Sequence, residues 1–263
     1  MSEATPFSRL LSRMEASAGE SRVEVPDDWL QGRTLFGGLQ AAIALRAMRT
    51  LVPATPLRSL QATFVGPVPG GLVRATARVL RSGKNATHVE ARIVDGDATL
   101  AVMVGIFGVA RESSVRVVPR QPELPAGQAA EMRYIPGAPA FTQHFKARWL
   151  MGGLPFTGAT ERDNVIELGM HDSGAATEYH VVAMADFIPP IALSFLRERV
   201  AAASLNWMLE LLAEDVGTLP LEGWRLDAHL TAAAAGYTHQ SLELWGPGGI
   251  PVALGRQTMV VFA

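Results

Sequence analysis

The sequence predicts an α+β protein made of two similar units in tandem, each with one helix wrapped by an antiparallel sheet. Three observations predict this class: short matches recur in the same order in both halves, each half has one helical run followed by extended runs, and a linker-like segment separates them. That segment, residues 113–139, is rich in Pro, Gln, Gly and Glu. We therefore predict units over residues 1–112 and 140–263.

Four matches indicate an internal duplication. They are Ile43-Ala44-Leu45 with Ile191-Ala192-Leu193 (offset 148), Ser59-Leu60 with Ser204-Leu205 (145), Thr87-His88 with Thr238-His239 (151), and Ala101 with Ala253 (152). A fixed order with offsets that drift by a few residues is typical of two copies that differ in loop length. We expect two superposable halves whose sheets join into one continuous sheet.

The first half begins with a helix predicted over Phe36–Met48. Small and apolar residues recur there at helical spacing, which favours close packing of one face. Leu72–Ser82 alternates apolar and polar side chains as a strand does, and Asp95-Gly96-Asp97 is a hairpin signal. The apolar run Thr99–Ala110 predicts a central strand.

The second half repeats this order. A helix is predicted over Asp186–Val200, with Asp186 at its start. Strands are predicted over residues 204–211, 224–231, 238–245 and 250–262, with a Gly/Pro turn at 246–249 between the last two.

Composition excludes several classes of protein. Of the 263 residues 48% are hydrophobic and 18% charged, which excludes a disordered chain. The net charge of −2 provides no positive field for nucleic acid or an anionic membrane, and uncharged runs do not exceed 15 residues, too short for a membrane span. The absence of cysteine excludes disulfides, a thiolate nucleophile and Cys-ligated zinc. The first residues carry charges throughout and lack the apolar stretch of a secretory signal, so we expect a soluble, cytoplasmic protein.

Several segments carry a resemblance to one family. They are GRTLFGGLQ (Gly32–Gln40), FVGPVPGG (Phe64–Gly71), ADFIPP (Ala185–Pro190), SLNWMLEL (Ser204–Leu211) and VALGRQ (Val252–Gln257). In order and spacing they resemble the acyl-CoA thioesterase II (TesB-like) family over about Val23–Phe262. The resemblance implies two hotdog folds in one chain that hydrolyse an acyl-CoA substrate to free acid and CoA, with no metal or organic cofactor. Trp207 and the Pro189-Pro190 pair depart from the family's pattern.

The resemblance also implies the catalytic residues. Carried over residue by residue, they are Asp186 at the start of the second helix, Ser204 on the next strand and Gln257 on the last strand. A carboxylate near a helix N-terminus tends to stay ionised, and it can deprotonate a water or attack the carbonyl itself. Ser204 and Gln257 can orient that water. The alternatives are an ordinary N-cap for Asp186 and a backbone-bonding hydroxyl for Ser204.

Further candidates lie in the first half. The backbone N–H groups of Gly37 and Gly38 could face the thioester oxygen, unless these glycines only allow tight helix-to-sheet packing. Arg81 and Lys84 form a basic loop that could contact CoA phosphates, although a solvated turn explains them as well. In the repeat register Asp186 falls on Gly38 and Gln257 on Gly105, which predicts one working site per chain.

Two rival functions remain open from the sequence. One is a non-catalytic acyl-CoA or lipid-binding protein with the same fold. The other is a hotdog enoyl-CoA hydratase, although such enzymes use an Asp/His pair and no His lies within Asp186–Val200. The six histidines show no metal-ligand spacing, and no GxSxG nucleophile elbow is present. Exposed sheet edges could support a homo-oligomer.

Overall fold

A computed structural model of the chain describes residues 4–124, 130–132 and 137–263. The helices in this part are α1 (Phe7–Arg13), α2 (Gly37–Leu51) and α3 (Glu178–Ala185), with short 3₁₀ helices over Asp27–Trp29, Ala140–His144 and Ile191–Phe195. The strands up to residue 108 are β1 (Glu15–Ser17), β2 (Glu20–Val25), β3 (Leu30–Gln31), β4 (Thr34–Leu35), β5 (Leu57–Phe64), β6 (Gly71–Ser82), β7 (Ala86–Asp95) and β8 (Ala98–Gly108). The later strands are β9 (Ala130–Met132), β10 (Phe145–Met151), β11 (Asp163–Met170), β12 (Ala202–Leu211), β13 (Trp224–Ala234), β14 (Tyr237–Gly246) and β15 (Ile250–Val261).

One antiparallel sheet contains thirteen of the strands within the described residues, in the order β1-β2-β6-β7-β8-β5-β12-β15-β14-β13-β11-β10-β9. From the centre outward, the first half reads β5-β8-β7-β6-β2 and the second reads β12-β15-β14-β13-β11, which is the same topology twice. The halves meet where β5 pairs with β12, with Leu60 opposite Leu209. The predicted α+β class, with two tandem units joined in a continuous sheet, is confirmed.

The two central helices lie antiparallel and in contact. The start of α2 meets the end of α3, where Gly38 lies against Ala183. At the other end Arg49, in the last turn of α2, forms an ion pair of 2.5 Å with Glu178, in the first turn of α3. Each of these charges also complements the dipole of its own helix. This arrangement brings the ends of helices from different halves together.

The second helix differs from its prediction. It ends at Ala185, before Asp186, so the predicted helix over Asp186–Val200 is wrong. Pro189 and Pro190 lack backbone N–H groups and disfavour helical conformation in the residue before them. Thr177 instead begins α3 through a capping box with His180. The Ile-Ala-Leu match therefore aligns residues of α2 with residues of a 3₁₀ helix, which are not equivalent elements. The residues of the three other matches lie on strands that occupy equivalent positions in the two halves.

The predicted linker contains a short strand, since β9 pairs with β10 at one end of the sheet. Other parts of it, residues 125–129 and 133–136, lie outside the described residues. The two end strands of the sheet are β1 and β9, and association through them stays a prediction. No helix in the described part of the chain is long and apolar enough to cross a membrane.

Candidate active site

Asp186 and Gln257 are in direct contact although 71 residues separate them. Asp186 directly follows α3, and Gln257 lies on β15 with its side chain facing the helices. The Gln257 Nε2 group donates a hydrogen bond of 2.5 Å to Asp186 Oδ1. The two residues are 8% and 2% exposed, so this is a buried carboxylate with one oxygen fixed by an amide.

The N-terminus of α2 forms the other side of the carboxylate. A Cβ at Gly37 would lie 2.6 Å from Asp186 Oδ2, and a Cβ at Gly38 would lie 2.9 Å from the backbone of Ala183. Gly37 therefore leaves room for the carboxylate, and Gly38 allows the two helices to touch. The close contacts of this glycine pair are with the other helix and Asp186 as well as with neighbouring aromatic rings.

Burial raises the pKa of Asp186 to about 7, while the backbone N–H of Gly38 and the side chain of Gln257 oppose this rise. The expectation that Asp186 is kept ionised by the start of its own helix is wrong, because Asp186 follows the C-terminal, negative end of α3. The positive helix end that faces it belongs to α2, in the other half of the chain. The result is a carboxyl group that gains and loses its proton near neutral pH.

A cluster of buried aromatic side chains includes the residue before α2 and the residue after Asp186. Phe36 stacks on Phe141 with ring centroids 4.1 Å apart, and Phe145 packs against Phe187 at 4.8 Å. Phe36 immediately precedes α2 and Phe187 immediately follows Asp186. All four rings are buried. Phe141 and Phe145 come from the segment that leads into the second half, and no sequence motif marks them.

Gln240 is a second buried amide that the sequence analysis missed. Its Nε2 group donates to Gln257 Oε1 at 3.4 Å, and its Oε1 accepts the backbone N–H of Ile191 at 3.0 Å. These bonds orient the Gln257 amide so that its NH₂ group faces Asp186. Counting back from the hairpin turn at 246–249 places Gln240 opposite Arg256, and the β-bulge between Leu244 and Trp245 shifts the register by one residue so that Gln240 lies opposite Gln257. The sequence therefore held no signal for this pairing.

Ser204 lies on the same face of the sheet as Gln257 but is not bonded to it. The register pairs Ser204 with Met259, two residues beyond Gln257 on β15, after a β-bulge between Ser204 and Asn206. Directly opposite residues share a face, as do residues two apart on one strand. Ser204 is half-buried, and its hydroxyl has no hydrogen-bond partner among the described residues. That hydroxyl is therefore available to a ligand or water.

Arg81 and Lys84 lie in the exposed region of the β6–β7 hairpin, away from Asp186. The hairpin lies beside the end of β8, where Val109 N–H donates to the Asn85 carbonyl, and the adjacent Gly108 N–H donates to the carbonyl of Pro56, shortly after the C-terminal end of α2. Asp186 lies at the opposite end of α2, and a helix of this length spans about 20 Å. The structure does not bring these two cations to the carboxylate.

The equivalent place in the first half is apolar. Gly105 corresponds to Gln257 in strand order, and Val89, opposite Gly105, corresponds to Gln240. Where Asp186 faces Gln257, the buried thioether of Met48 faces Gly105, 2.7 Å from the position of an added Cβ. Met48, rather than the predicted Gly38, is therefore the structural counterpart of Asp186. Among the described residues no group of three or more His, Asp or Glu side chains is arranged to hold a metal ion.

Sequence-family comparisons agree with this architecture. The model of the acyl-CoA thioesterase N-terminal domain matches residues 25–108, and that of the acyl-CoA thioesterase C-terminal domain matches residues 116–261. The protein is thus a thioester hydrolase with two tandem hotdog units. More particularly, the chain belongs to the acyl-CoA thioesterase family, and the predicted TesB-like relationship is confirmed. No curated protein sequence matches the chain significantly.

Solved structures show the same fold over nearly the whole chain. A conserved protein of unknown function with a hotdog fold from Alicyclobacillus acidocaldarius has a TM-score of 0.85 at 18% identity, covering 95% of this chain and 96% of that one. The tesB protein of Mycobacterium avium subs paratuberculosis has a TM-score of 0.77 at 17% identity, covering 99% and 100%. An acyl-CoA thioesterase II, TesB2, from Mycobacterium marinum has a TM-score of 0.71 at 17% identity, covering 94% and 95%.

Proposed function

We propose that this protein hydrolyses acyl-CoA to a free acid and CoA at one site per chain, built from Asp186, Gln257 and Ser204. The observation that carries the proposal is a buried carboxylate with a pKa of about 7, held by Gln257 and facing the N-terminus of α2. A general base is most effective when its pKa lies near the working pH. Asp186 meets that requirement because of its burial.

In the proposed reaction Asp186 accepts a proton from a water molecule as that water attacks the thioester carbonyl carbon. Gln257 and the unpaired hydroxyl of Ser204 orient the water. The N–H group of Gly37, at the positive end of α2, stabilises the oxyanion that forms on the carbonyl oxygen, whereas the N–H group of Gly38 donates to the Asp186 carboxylate. The carbon–sulfur bond then breaks, and the departing sulfur takes the proton that Asp186 had accepted, so that CoA leaves as its thiol.

A single site per chain is supported by the difference between the halves. Met48, Gly105 and Val89 occupy the places that Asp186, Gln257 and Gln240 occupy in the second half. These three residues offer no base and no side-chain amide. The first half contributes to the proposed site through the start of α2 instead.

Arg81 and Lys84 are proposed as contacts for the CoA phosphates. The phosphates lie at the far end of the pantetheine arm from the thioester, so a basic loop remote from Asp186 is compatible with this role. Cations on such an exposed loop attract phosphate by charge, and salt weakens that attraction.

The geometry does not favour the hydratase alternative. The nearest histidine along the chain, His180, uses Nδ1 in contacts with Thr177, and its Nε2 lies 4.0 Å from Asp172. Its two ring nitrogens therefore face groups other than Asp186. No Asp/His pair forms at Asp186 in the described part of the chain.

A thiol-release assay with short, medium, long and aromatic acyl-CoAs tests the proposal. Asp186→Asn should lower kcat about 10²- to 10⁴-fold, since it removes the base while preserving the shape of the side chain. Asp97→Asn, in an exposed turn, is the matched control and should retain full activity. Near wild-type turnover by Asp186→Asn would refute the assignment, and binding of acyl-CoA without any thiol release would favour the non-catalytic alternative.

Labelled water separates the two possible roles of Asp186. If Asp186 activates water, repeated turnover in H₂¹⁸O labels the free acid and leaves the enzyme unlabelled. Attack by the carboxylate itself would form an anhydride and place ¹⁸O in the Asp186 side chain. Mass spectrometry of the peptide that contains Asp186 distinguishes these outcomes.

A further inference from the structure

Residues 4–13, which include α1, form an N-terminal strap that contacts both halves of the molecule. Thr5 donates its backbone N–H to Asp28 Oδ2 at 2.6 Å. Ser8 donates its backbone N–H to Asp172 Oδ2 and its hydroxyl to Asp172 Oδ1, each at 2.6 Å. The strap is therefore held by one carboxylate from the first half and one from the second.

His180 is a buried titratable group beneath this strap, and the proposed reaction does not use it. Its side chain is 4% exposed, and the ring of Phe7 packs on it at 5.1 Å. His180 Nδ1 accepts the backbone N–H of Thr177 at 3.1 Å, which is one half of the capping box that begins α3. Because Nδ1 is the acceptor, the proton of the neutral ring is on Nε2, which has no hydrogen-bond partner among the described residues.

These contacts of His180 require its neutral form. A protonated ring carries a hydrogen on both nitrogens, so Nδ1 can no longer accept the Thr177 N–H and the cap of α3 is lost. The carboxylate that acts on the ring is that of Asp172, whose Oδ2 lies 4.0 Å from Nε2. This oxygen is also the acceptor of the Ser8 N–H. An ion pair between protonated His180 and Asp172 therefore competes with the bond that holds the strap.

The other charged groups on the elements around the strap and α3 have solvent or other partners. Arg9 and Arg13, on the strap itself, are exposed, and Glu178 pairs with Arg49 at 2.5 Å. The titratable and charged side chains on these elements, besides His180 and Asp172, are Arg9, Arg13, Asp27, Asp28, Arg46, Arg49, His144, His171, Glu178 and Tyr179.

His144 is a second buried histidine near the strap, but its surroundings differ. Its Nε2 lies 3.0 Å from the carbonyl oxygen of Asp28 and 3.7 Å from Asp28 Oδ2. Two oxygens near this nitrogen favour the charged form of the ring and oppose the effect of burial. The bond from Thr177 to His180 instead favours the neutral form. His180 is therefore the group whose protonation breaks existing contacts.

We propose that residues 4–13 are an acid-released strap, in which protonation of His180 frees the strap from the two halves and removes the cap of α3. The release does not depend on the function proposed above. While the strap is closed, burial lowers the pKa of His180 to about 4, and Asp172 opposes this shift. Once the strap is open, the ring meets water and its pKa returns toward the ordinary 6.5. Between these values the open form binds one more proton, so its population rises by up to about tenfold for each pH unit of acidification.

Hydrogen exchange with mass spectrometry between pH 5 and pH 8 measures the release. The readout is the exchange of peptides from residues 4–14, corrected for the intrinsic pH dependence of exchange. Peptides from β8, in the middle of the sheet, are the internal reference for global unfolding. In wild type the opening constant of the strap should rise about 30-fold from pH 8 to pH 5, while β8 stays protected.

His180→Gln is the decisive variant, because Gln at this position of a capping box can keep the cap and does not titrate. The rise in the opening constant should shrink to less than about threefold. His229→Gln, which removes an exposed histidine paired with Asp163, is the matched control and should keep the full rise. An unchanged rise in His180→Gln, or loss of protection in β8 at the same pH as in the strap, would overturn the proposal.

Phe7→Ala tests the same coupling from the other side and does not need a histidine variant. It removes the ring that covers His180 and so weakens the closed strap. Because coupling between two events is reciprocal, a weaker strap must make His180 easier to protonate. NMR titration of the assigned His180 ring should show its pKa rising from about 4 to above about 5. A pKa that stays near 4 would show that the strap does not control this proton.

Discussion

The proposed catalytic role of Asp186 and its effect on stability both depend on the protonation of one buried carboxyl group. Its pKa is about 7 in the folded protein against an ordinary value of 3.8, because burial penalises the charged form. The folded state therefore keeps a proton that the unfolded state releases between about pH 4 and pH 7. Above pH 7 the folded protein must hold the buried charge, so this group lowers the free energy of unfolding by a few kcal/mol there.

Asp186→Asn should consequently be more stable than wild type in alkaline solution. Urea unfolding at pH 8.5 should give a gain of roughly 2–4 kcal/mol, and the gain should shrink as pH falls below 7 and vanish near pH 4. Asp97→Asn should show no such dependence. A gain that is the same at pH 8.5 and pH 4 would contradict the raised pKa.

In wild type, kcat/KM should rise with pH up to about 7 and level off above it.

In the proposed site Gln240 is a positioning residue that acts through its hydrogen bond to Gln257. Gln240→Leu removes the bond that orients the Gln257 amide and leaves the Ile191 N–H without its acceptor. We expect kcat to fall about tenfold with little change in KM, and the pH at which kcat/KM levels off to rise. Ser241→Ala, the next residue along β14 and on the other face of the sheet, is the control. An unchanged pH profile, with only stability lowered, would assign Gln240 a purely structural role.

At the scale of elements, the site depends on the contact between the start of α2 and the end of α3. The contact is possible because Gly38 lacks a Cβ where the backbone of Ala183 approaches. The two helices are antiparallel, so each positive end lies beside a negative end, which is electrostatically favourable. The same arrangement places Asp186, which directly follows α3, beside the N-terminus of α2 in the other half of the chain.

Adding one methyl group at each glycine separates these roles. Gly38→Ala should destabilise the protein by about 1–3 kcal/mol, since backbone must move to accommodate it. Gly37→Ala places its methyl against the Asp186 carboxylate and should lower kcat more than stability. Gly83→Ala, in the β6–β7 hairpin where an added Cβ makes ordinary contacts, is the control. Chemical unfolding and the thiol-release assay measure the effects, and identical results for the three variants would contradict the assigned contacts.

At the scale of the whole molecule, the N-terminal segment joins the two halves. Ser8 donates its backbone N–H and its hydroxyl to Asp172, each at 2.6 Å, across 164 residues of sequence. Phe7 packs against Trp29 at 5.5 Å and against His180 at 5.1 Å, one from each half. Together with the β5–β12 pairing, these contacts fix the position of one half relative to the other. The proposed site depends on that position because it contains residues from both halves.

Ser8→Ala tests this connection. It removes one donor from the Asp172 carboxylate and should lower the free energy of unfolding by about 1–3 kcal/mol. Ser12→Ala, on the same helix but exposed and bonded only to Arg9, should change it by less than about 0.5 kcal/mol. Equal values for the two variants in thermal and urea unfolding would show that the segment does not stabilise the junction.

The strands were more predictable than the second helix. Alternation and hairpin turns depend on neighbouring residues, and the predicted strands at Leu72–Ser82 and over residues 204–211 and 250–262 agree with β6, β12 and β15 to within a few residues. The second helix ends earlier than predicted because Pro189 and Pro190 precede the repeated Ile-Ala-Leu and prevent a continuous helix there. The contact between Asp186 and Gln257 was anticipated only through the family resemblance, since no local pattern links residues so far apart.

By itself, the sequence determined that the chain consists of two like units, the order of their strands and the identity of the residues able to do acid–base chemistry. These features depend on short-range periodicity and on the side chains themselves. The tertiary structure decided that Asp186 ends one helix and faces the start of another, that Gln240 orients Gln257, and that Met48 replaces the acid in the first half. Such properties arise from contacts between distant segments and from exclusion of water, which set the pKa of Asp186 only once the two halves have packed together.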